Sequence, residues 1–376
     1  MWRAGITWPQ SLLSALKQTY GNDVTLCLLA PSTKYSLPND LSRVIDEIIG
    51  IPVFQRLTPL WAMDRALKLT FSRDVIGSRA LRSHRINVMF GPGIQYIYDK
   101  IPTLSWIPDF QHVHLPEMFS ARERAQRDQE FLRTSKLSTR IVLMSEAVKK
   151  DFQAFTPMYA HKARVLRTAS YIPASVYETD PKLIIDKYHL PEKFVYLPNQ
   201  FWKHKNHELV FQALNILKDR GSRIFVACDG YQGDYRHPTY FQELVHKVCR
   251  WSVREQIAFL GLLPRDHMFQ LMRQSVCVLN PSLFEGFGLT VDEARSIGKR
   301  VLISDIPAHR EQNPLGALFF DPRDCEDLAQ KLEKIWYEIP PGPDMKLESE
   351  ARQSLPGRIR ACAESFMSVV REVIYR

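Results

Sequence analysis

Short apolar runs alternate with longer amphipathic stretches along most of this chain. Residues 24–29, 87–90 and 140–144 each read as a strand. Residues 9–20 read as a helix ahead of them. Residues 116–135 carry Arg122, Glu123, Arg124, Arg127, Asp128 and Glu130, the charge of a solvated helix face. A second alternating set opens near Lys193. Its strands are expected at 194–197, 223–227, 257–260, 276–279 and 300–303, and its helices at 207–219, 240–251, 266–274, 290–297 and 325–337. Strands separated by helices of this length predict parallel sheets covered on both faces. The alternation lapses over 170–191, which reads as a linker, and Pro340, Pro341, Gly342 and Pro343 break the chain again. A last helix is expected over 356–375.

Length supports this division, because 376 residues exceed one ordinary core. The pattern predicts an N-terminal domain over 1–172, a second over 173–350, and a C-terminal helix over 351–376 that packs back toward the first. The fold class is α/β, two Rossmann-like doubly wound domains facing across a cleft. Ligands of such sheets bind outside the carboxyl ends of the strands.

Composition narrows the class. Apolar residues are 45% and charged residues 24% of the chain, as in a soluble globular protein. No apolar run approaches the roughly 18 residues needed to span a bilayer, and residues 1–10 lack a signal-peptide pattern. The six cysteines form no CxxC pair and no cluster with histidines, so neither zinc nor a disulfide framework is indicated. A cytoplasmic setting is expected. The net charge of +9 points to an anionic partner. No nucleic-acid-binding module accompanies it, so nucleic acid is not expected.

The most informative segment is 276–293, VCVLNPSLFEGFGLTVDE. An apolar strand ends near Asn280, a loop carries Glu285, Gly286, Phe287 and Gly288, and a helix opens near Leu289 with Glu293 in its first turns. Glycines let backbone amides approach a ligand, and a helix start favours a phosphate. Carboxylates accept hydrogen bonds from sugar hydroxyls. The alternative is an ordinary strand–turn–helix in which Glu293 is merely a charge near a helix start.

The string resembles the signature of retaining GT-B glycosyltransferases of family 4 type (group 1, similar to bacterial mannosyltransferases): Pro-Ser, two residues, Glu-Gly-Phe-Gly, and a second Glu eight positions after the first. Phe259-Leu260-Gly261 before it, and Ser304-Asp305-Ile306-Pro307 and Phe320-Asp321-Pro322 after it, resemble the family's flanking turns. The resemblance implies that Glu285 contacts the donor sugar and Glu293 the nucleotide ribose. It implies that Gly286 and the amides of Phe287, Gly288 and Leu289 hold the diphosphate, with the turn of Gly261 and Leu263 beside the base. The donor is then a GDP- or UDP-sugar used as substrate, with no cofactor and no metal. The expected acceptor is a glycan or lipid-linked glycan in cell-surface polysaccharide synthesis, and mannose is the expected sugar.

Five further places bear on that reading. In 197–207, Lys205 matches the family's phosphate lysine, whereas Gln200 stands where the family has arginine. A lysine there neutralises a leaving diphosphate; the alternative is a solvated lysine at a helix start. His204 and His207 form a His-x-x-His pair that lacks a third metal ligand. In 106–117, Asp109 matches the family's Asp, but Pro108 replaces its His, leaving His112 or His114 to face the sugar. Ser145-Glu146 resembles a family pair, or Ser145 is a helix N-cap. At the start, residues 1–7 read as a loop without its preceding strand, with Gly5 as the loop glycine near the diphosphate. Absence of that strand admits a second reading, a truncated and inactive sugar-nucleotide binder; another GT-B enzyme such as an epimerase is a third. Finally, the basic amphipathic stretch 61–85 is either an ordinary helix or a surface for an anionic membrane.

Overall fold

The computed structural model describes residues 4–30, 39–51, 59–71, 74–93 and 96–375. The chain forms two compact units. The first holds Met1–Phe110, Ala121–Ala169 and Gly357–Arg376; the second holds Gln111–Ser120 and Ser170–Pro356. The fold is mixed α/β, and among the described residues every strand pairing is parallel.

In the first unit the strands are β1 (Cys27–Ala30), β2 (Glu47–Gly50), β3 (Met89–Pro92), β4 (Thr103–Trp106), β5 (Arg140–Leu143) and β6 (Ala163–Val165). Among the described residues they fall into two sheets, β1-β2 and β3-β4-β5-β6. The helix Ala4–Tyr20 seals one face by burying Trp8, Leu12, Ala15 and Leu16. The Trp8 ring lies 4.3 Å from that of Trp106 and 5.7 Å from that of Phe90. This corrects the expected loop. Gly5 lies inside the helix, near its start, rather than in a phosphate loop. Pro9 also lies within the helix rather than opening it. A proline there removes one backbone hydrogen bond, to the carbonyl of Gly5. Burial of Trp8 outweighs that loss and the poor helix propensity of glycine.

The second unit has one six-stranded sheet: β7 (Val195–Pro198), β8 (Val226–Asp229), β9 (Ile257–Phe259), β10 (Val278–Asn280), β11 (Val301–Ser304) and β12 (Leu318–Phe320). Its order is β12-β11-β10-β7-β8-β9. Chain order reverses between β7 and β10, the doubly wound arrangement in which ligands bind at the reversal. All residues of β7, β8, β10 and β11 are buried, as central parallel strands require. Helix His207–Asp219 buries Leu209, Val210, Phe211, Ala213, Leu214 and Leu217 in the core. Asp324 starts Cys325–Glu338 by accepting from the Glu326 and Asp327 amides at 2.9 and 3.1 Å.

The final helix runs Met345–Ile374, with Pro356 inside it, instead of starting at Pro356. Its early turns are held in the second unit. Arg273 and Glu348, both nearly buried, pair at 2.8 Å. A Cβ on Gly298 would fall 2.4 Å from the Leu347 carbonyl, so only glycine admits this approach. From Gly357 onward the helix belongs to the first unit, where Glu372 accepts from Arg140 and Arg164 at 2.7 and 2.6 Å. The stretch 170–191 is not bare linker; it contains the short helices Ser175–Glu178 and Lys182–Lys187.

Candidate functional site

Adjacent strands at the reversal point deliver two loops. The loop after β7 carries Gln200 and Lys205. The loop after β10 carries Ser282, Glu285 and Gly286–Gly288. They are fastened together by backbone and by Asn206. The Leu283 amide donates to the His204 carbonyl at 2.8 Å. Asn206, left-handed at φ 57°, donates from Nδ2 to the carbonyls of Pro281 and Pro322 at 3.1 and 2.9 Å. An asparagine tolerates this conformation and satisfies two loop carbonyls at once.

That fastening brings Lys205 Nζ onto Glu285 Oε1. Both side chains are largely withdrawn from water. Ser282 Oγ lies 2.6 Å from the same carboxylate oxygen and 2.6 Å from Asn280 Oδ1. Burial alone pushes the Glu285 carboxyl up. The charge of Lys205 and the bonds from Lys205 and Ser282 outweigh it, and the group is held below its usual value. The carboxylate is thus ionised, with an ammonium beside it.

Gly288 caps the helix Leu289–Ile297 at φ +87°, bringing no side-chain oxygen to the first amides. Glu293 lies on this helix, is 6% exposed, and pairs with Arg265 at 2.8 Å. Arg265 was not singled out from the sequence, although it follows the turn of Gly261 and Leu263 by two residues. In that turn the Gly261 carbonyl accepts from the Gly230 amide at 2.7 Å, and Leu263 is buried. Gln200 is half-buried.

Beneath the glycine loop lies the helix Pro307–Gln312, two of whose residues gave no sequence signal. His309 is fully buried. Burial holds its imidazole down to about 4, so it is neutral near pH 7, and its Nδ1 donates to the Ser304 carbonyl at 2.9 Å. Gln312 Nε2 donates to the carbonyls of Phe287 and Gly288.

The segment Gln111–Ser120 packs with the second unit. Leu115, Met118 and Phe119 sit against Leu283 and Phe284, and the His114 ring stacks on Phe284 at 4.8 Å. Arg236 donates to Gln111 Oε1 at 3.0 Å and lies 4.5 Å over Phe119. His112 is buried on the same segment. Asp109 belongs to the first unit, 3.8 Å from Arg127. Ser145 takes its simpler role there, accepting from the Val148 amide as N-cap of Glu146–Phe155. His207 stacks on Phe201 at 4.2 Å, and burial pushes its imidazole down to about 3. Among the described residues no group of three His, Cys, Asp or Glu side chains is placed to hold a metal ion.

The family model "Glycosyl transferases group 1" matches residues 184–352, the stretch that holds both loops. The second unit belongs to the group 1 glycosyltransferases. Relatives of this glycosyltransferase region include the serotype-specific mannosyltransferase WbdA of Escherichia coli, 28% identical over 150 residues, 40% of this chain and 18% of that protein. The O-antigen chain mannosyltransferase B of E. coli is 22% identical over 272 residues, 69% of each chain. The chain thus spans under a fifth of the length of WbdA. Among solved structures, a glycosyltransferase from Rickettsia africae superposes with a TM-score of 0.70 at 14% identity, covering 99% of this chain and 96% of that one. HepE of Anabaena, in complex with UDP and glucose, superposes at 0.64 and 15% identity, covering 96% and 95%. The fold is that of GT-B glycosyltransferases.

Proposed function

We propose that this protein moves a sugar, mannose in our reading, from a nucleoside-diphosphate sugar to a glycan or lipid-linked acceptor with retention of configuration, serving cell-surface polysaccharide synthesis. One observation carries the reading: the partly buried Lys205–Glu285 pair stands where β7 and β10 meet, beside the glycine-capped helix Leu289–Ile297 of a group 1 region. Its relatives named as mannosyltransferases favour mannose, and a GDP-sugar is the donor we expect with it. HepE, bound to UDP, keeps a UDP-sugar in the test.

In this reading the diphosphate draws Lys205 away from Glu285. The lysine then neutralises charge that grows on the leaving phosphate, aided by the amides at Gly288 and Leu289. Glu285, released, accepts hydrogen bonds from the sugar, and Glu293 leaves Arg265 for the ribose. Gly261 and Leu263 flank the base, and Gln200 adds a neutral donor to the phosphates. His112 and Asp109 serve the sugar and acceptor side. The leaving phosphate takes the acceptor hydroxyl's proton on the face from which it departs. Positioning and charge supply the catalysis.

The decisive test is thermal stabilisation by GDP, UDP, ADP and their sugars, with Lys205→Ala and Glu293→Ala alongside. One nucleotide series should raise the melting temperature of the wild type and do so less in both variants. A folded wild type that no nucleotide stabilises would refute the donor reading. The separation of β1-β2 from β3–β6 among the described residues favours a second reading, a protein that binds the donor without transferring its sugar. Binding without turnover over a panel of acceptors would select it.

Work at the cytoplasmic face of a membrane is part of the proposal. Arg65, Arg79, Arg82 and Arg85 are exposed on or beside the helices Pro59–Phe71 and Val75–Ser83. The side chains of Leu67, Lys68, Leu69 and Phe71 in that stretch lie outside the described residues, as does Arg73. Among the described residues no helix is long and apolar enough to cross a membrane. Salt-sensitive sedimentation with anionic vesicles is expected; equal sedimentation with neutral vesicles would remove this element.

A further inference from the structure

We propose that Gln312 positions the diphosphate site: its side-chain amide grips the carbonyls of Phe287 and Gly288, and so turns the N–H groups of Gly288 and Leu289 toward the bound anion. The inference rests on the donor reading above and names a residue that reading does not use.

The side-chain nitrogen faces two acceptors. Nε2 donates to the Phe287 carbonyl, and to the Gly288 carbonyl at 3.0 Å. Only the NH₂ end of an amide satisfies two oxygens, which fixes the orientation of the group. In a planar trans peptide the carbonyl and the N–H of the next residue point opposite ways. The two peptides held by their oxygens are those whose nitrogens belong to Gly288 and Leu289. A clamp on one side therefore presents two amides on the other, that of Leu289 with help from the helix, since the Gly288 carbonyl also accepts from the Val291 and Asp292 amides at 3.0 and 3.2 Å.

The clamp is itself immobilised. Gln312 is 8% exposed and ends the helix Pro307–Gln312, on which His309 is fully buried. A Cβ on Gly288 would come within 3.1 Å of the His309 ring and 3.4 Å of Gln312 Nε2. With Gly288 at φ +87°, the loop has no room to settle onto its support. A neutral amide does this without placing negative charge under an anion site; a carboxylate at 312 would lose both donors and repel both carbonyls. Gln312 touches the loop, not the substrate, and is a positioning residue.

The test is calorimetric titration of the full chain with whichever of GDP and UDP stabilises the wild type, and with the matching nucleoside. Gln312→Glu and the similarly sized Gln312→Met are compared. Two misdirected amide contacts should weaken the diphosphate about thirtyfold in either variant, and leave the nucleoside within about twofold. Glu293→Ala should weaken both ligands, since it acts at the ribose. An unchanged diphosphate affinity, or equal losses for diphosphate and nucleoside, would overturn the proposal. Failure of both variants to fold would make Gln312 purely structural and overturn it too. If the wild type binds neither nucleotide, the donor reading fails first, visibly, before any variant is compared.

Discussion

Both units are built from parallel strands, yet they differ at the place where a site forms. In the second, β7 and β10 are neighbours in one continuous sheet, and their loops meet at the reversal of strand order. In the first, β1-β2 and β3–β6 are separate sheets among the described residues. Burial differs at the strands concerned, although β4 and β5 of the first unit are also wholly buried. The strands β7 and β10 are wholly buried, whereas β1 and β3 are partly exposed. A continuous central sheet fixes two loops against each other to within a hydrogen bond. Among the described residues, β1-β2 and β3–β6 share no strand pairing that would fix their loops in this way.

Four measurements break or sharpen this contrast. The largest effect on stability is expected from Arg273→Met, which strands the buried Glu348 and removes the donor to the Thr179 carbonyl. Removing one partner of a buried pair costs about 3–5 kcal/mol. Calorimetry should show the second unit melting earlier, and a shift confined to the first unit would contradict the division drawn here. Next, Lys205→Ala leaves Glu285 without its ammonium and should lower sugar transfer about a hundred- to a thousandfold. A loss under tenfold would remove Lys205 from the chemistry.

The third concerns pH. Hydrogen bonds from Arg164 and Arg140 hold the Glu372 carboxyl down to about 2, against an ordinary value of 4.5. A lowered folded value means its stabilisation is present above pH 4.5 and is lost as pH falls from there toward 2. Glu372→Gln should therefore destabilise the first unit by about 1–2 kcal/mol at neutral pH, discounted for partial exposure, and hardly at all near pH 2. Equal destabilisation at both pH values would show that charge is not the cause. The smallest effect is that of Ser145→Ala, which removes one helix cap and about 1 kcal/mol. Urea unfolding followed by circular dichroism reads it, and a change below a few tenths would mean that water replaces the cap.

What the sequence disclosed follows the same contrast. The helix over 207–219 coincides with His207–Asp219, because its apolar positions recur at helical spacing around a single face. Strands of the second unit lie within a few residues of their expected places, since buried parallel strands are unbroken apolar runs. The strand β12 was not anticipated: it has three residues, and Leu318 is exposed, so it lacks such a run. The sequence places Pro9 and Pro356 at helix starts, the usual meaning of proline. Both lie inside helices that distant contacts extend, Trp8 against Trp106 in one case and Arg273 with Glu348 in the other. A local pattern holds no trace of a partner about a hundred residues away. The site divides likewise. Glu285, Glu293 and Lys205 stood out through their motifs. Arg265, His309 and Gln312 are joined to them only by folding.

The resting contact between Lys205 and Glu285 has a consequence for selectivity. In the donor reading proposed above, it would work as a lock with two keys. An anion alone would take the lysine from the carboxylate; a hydroxyl-rich molecule alone would take the carboxylate and strand an ammonium. Only a ligand that carries both phosphate and sugar would replace the pair without loss. Once the sugar had been passed on, one key would be gone, the carboxylate would reclaim its lysine, and the spent nucleotide would be released by the same contact that its precursor had to open.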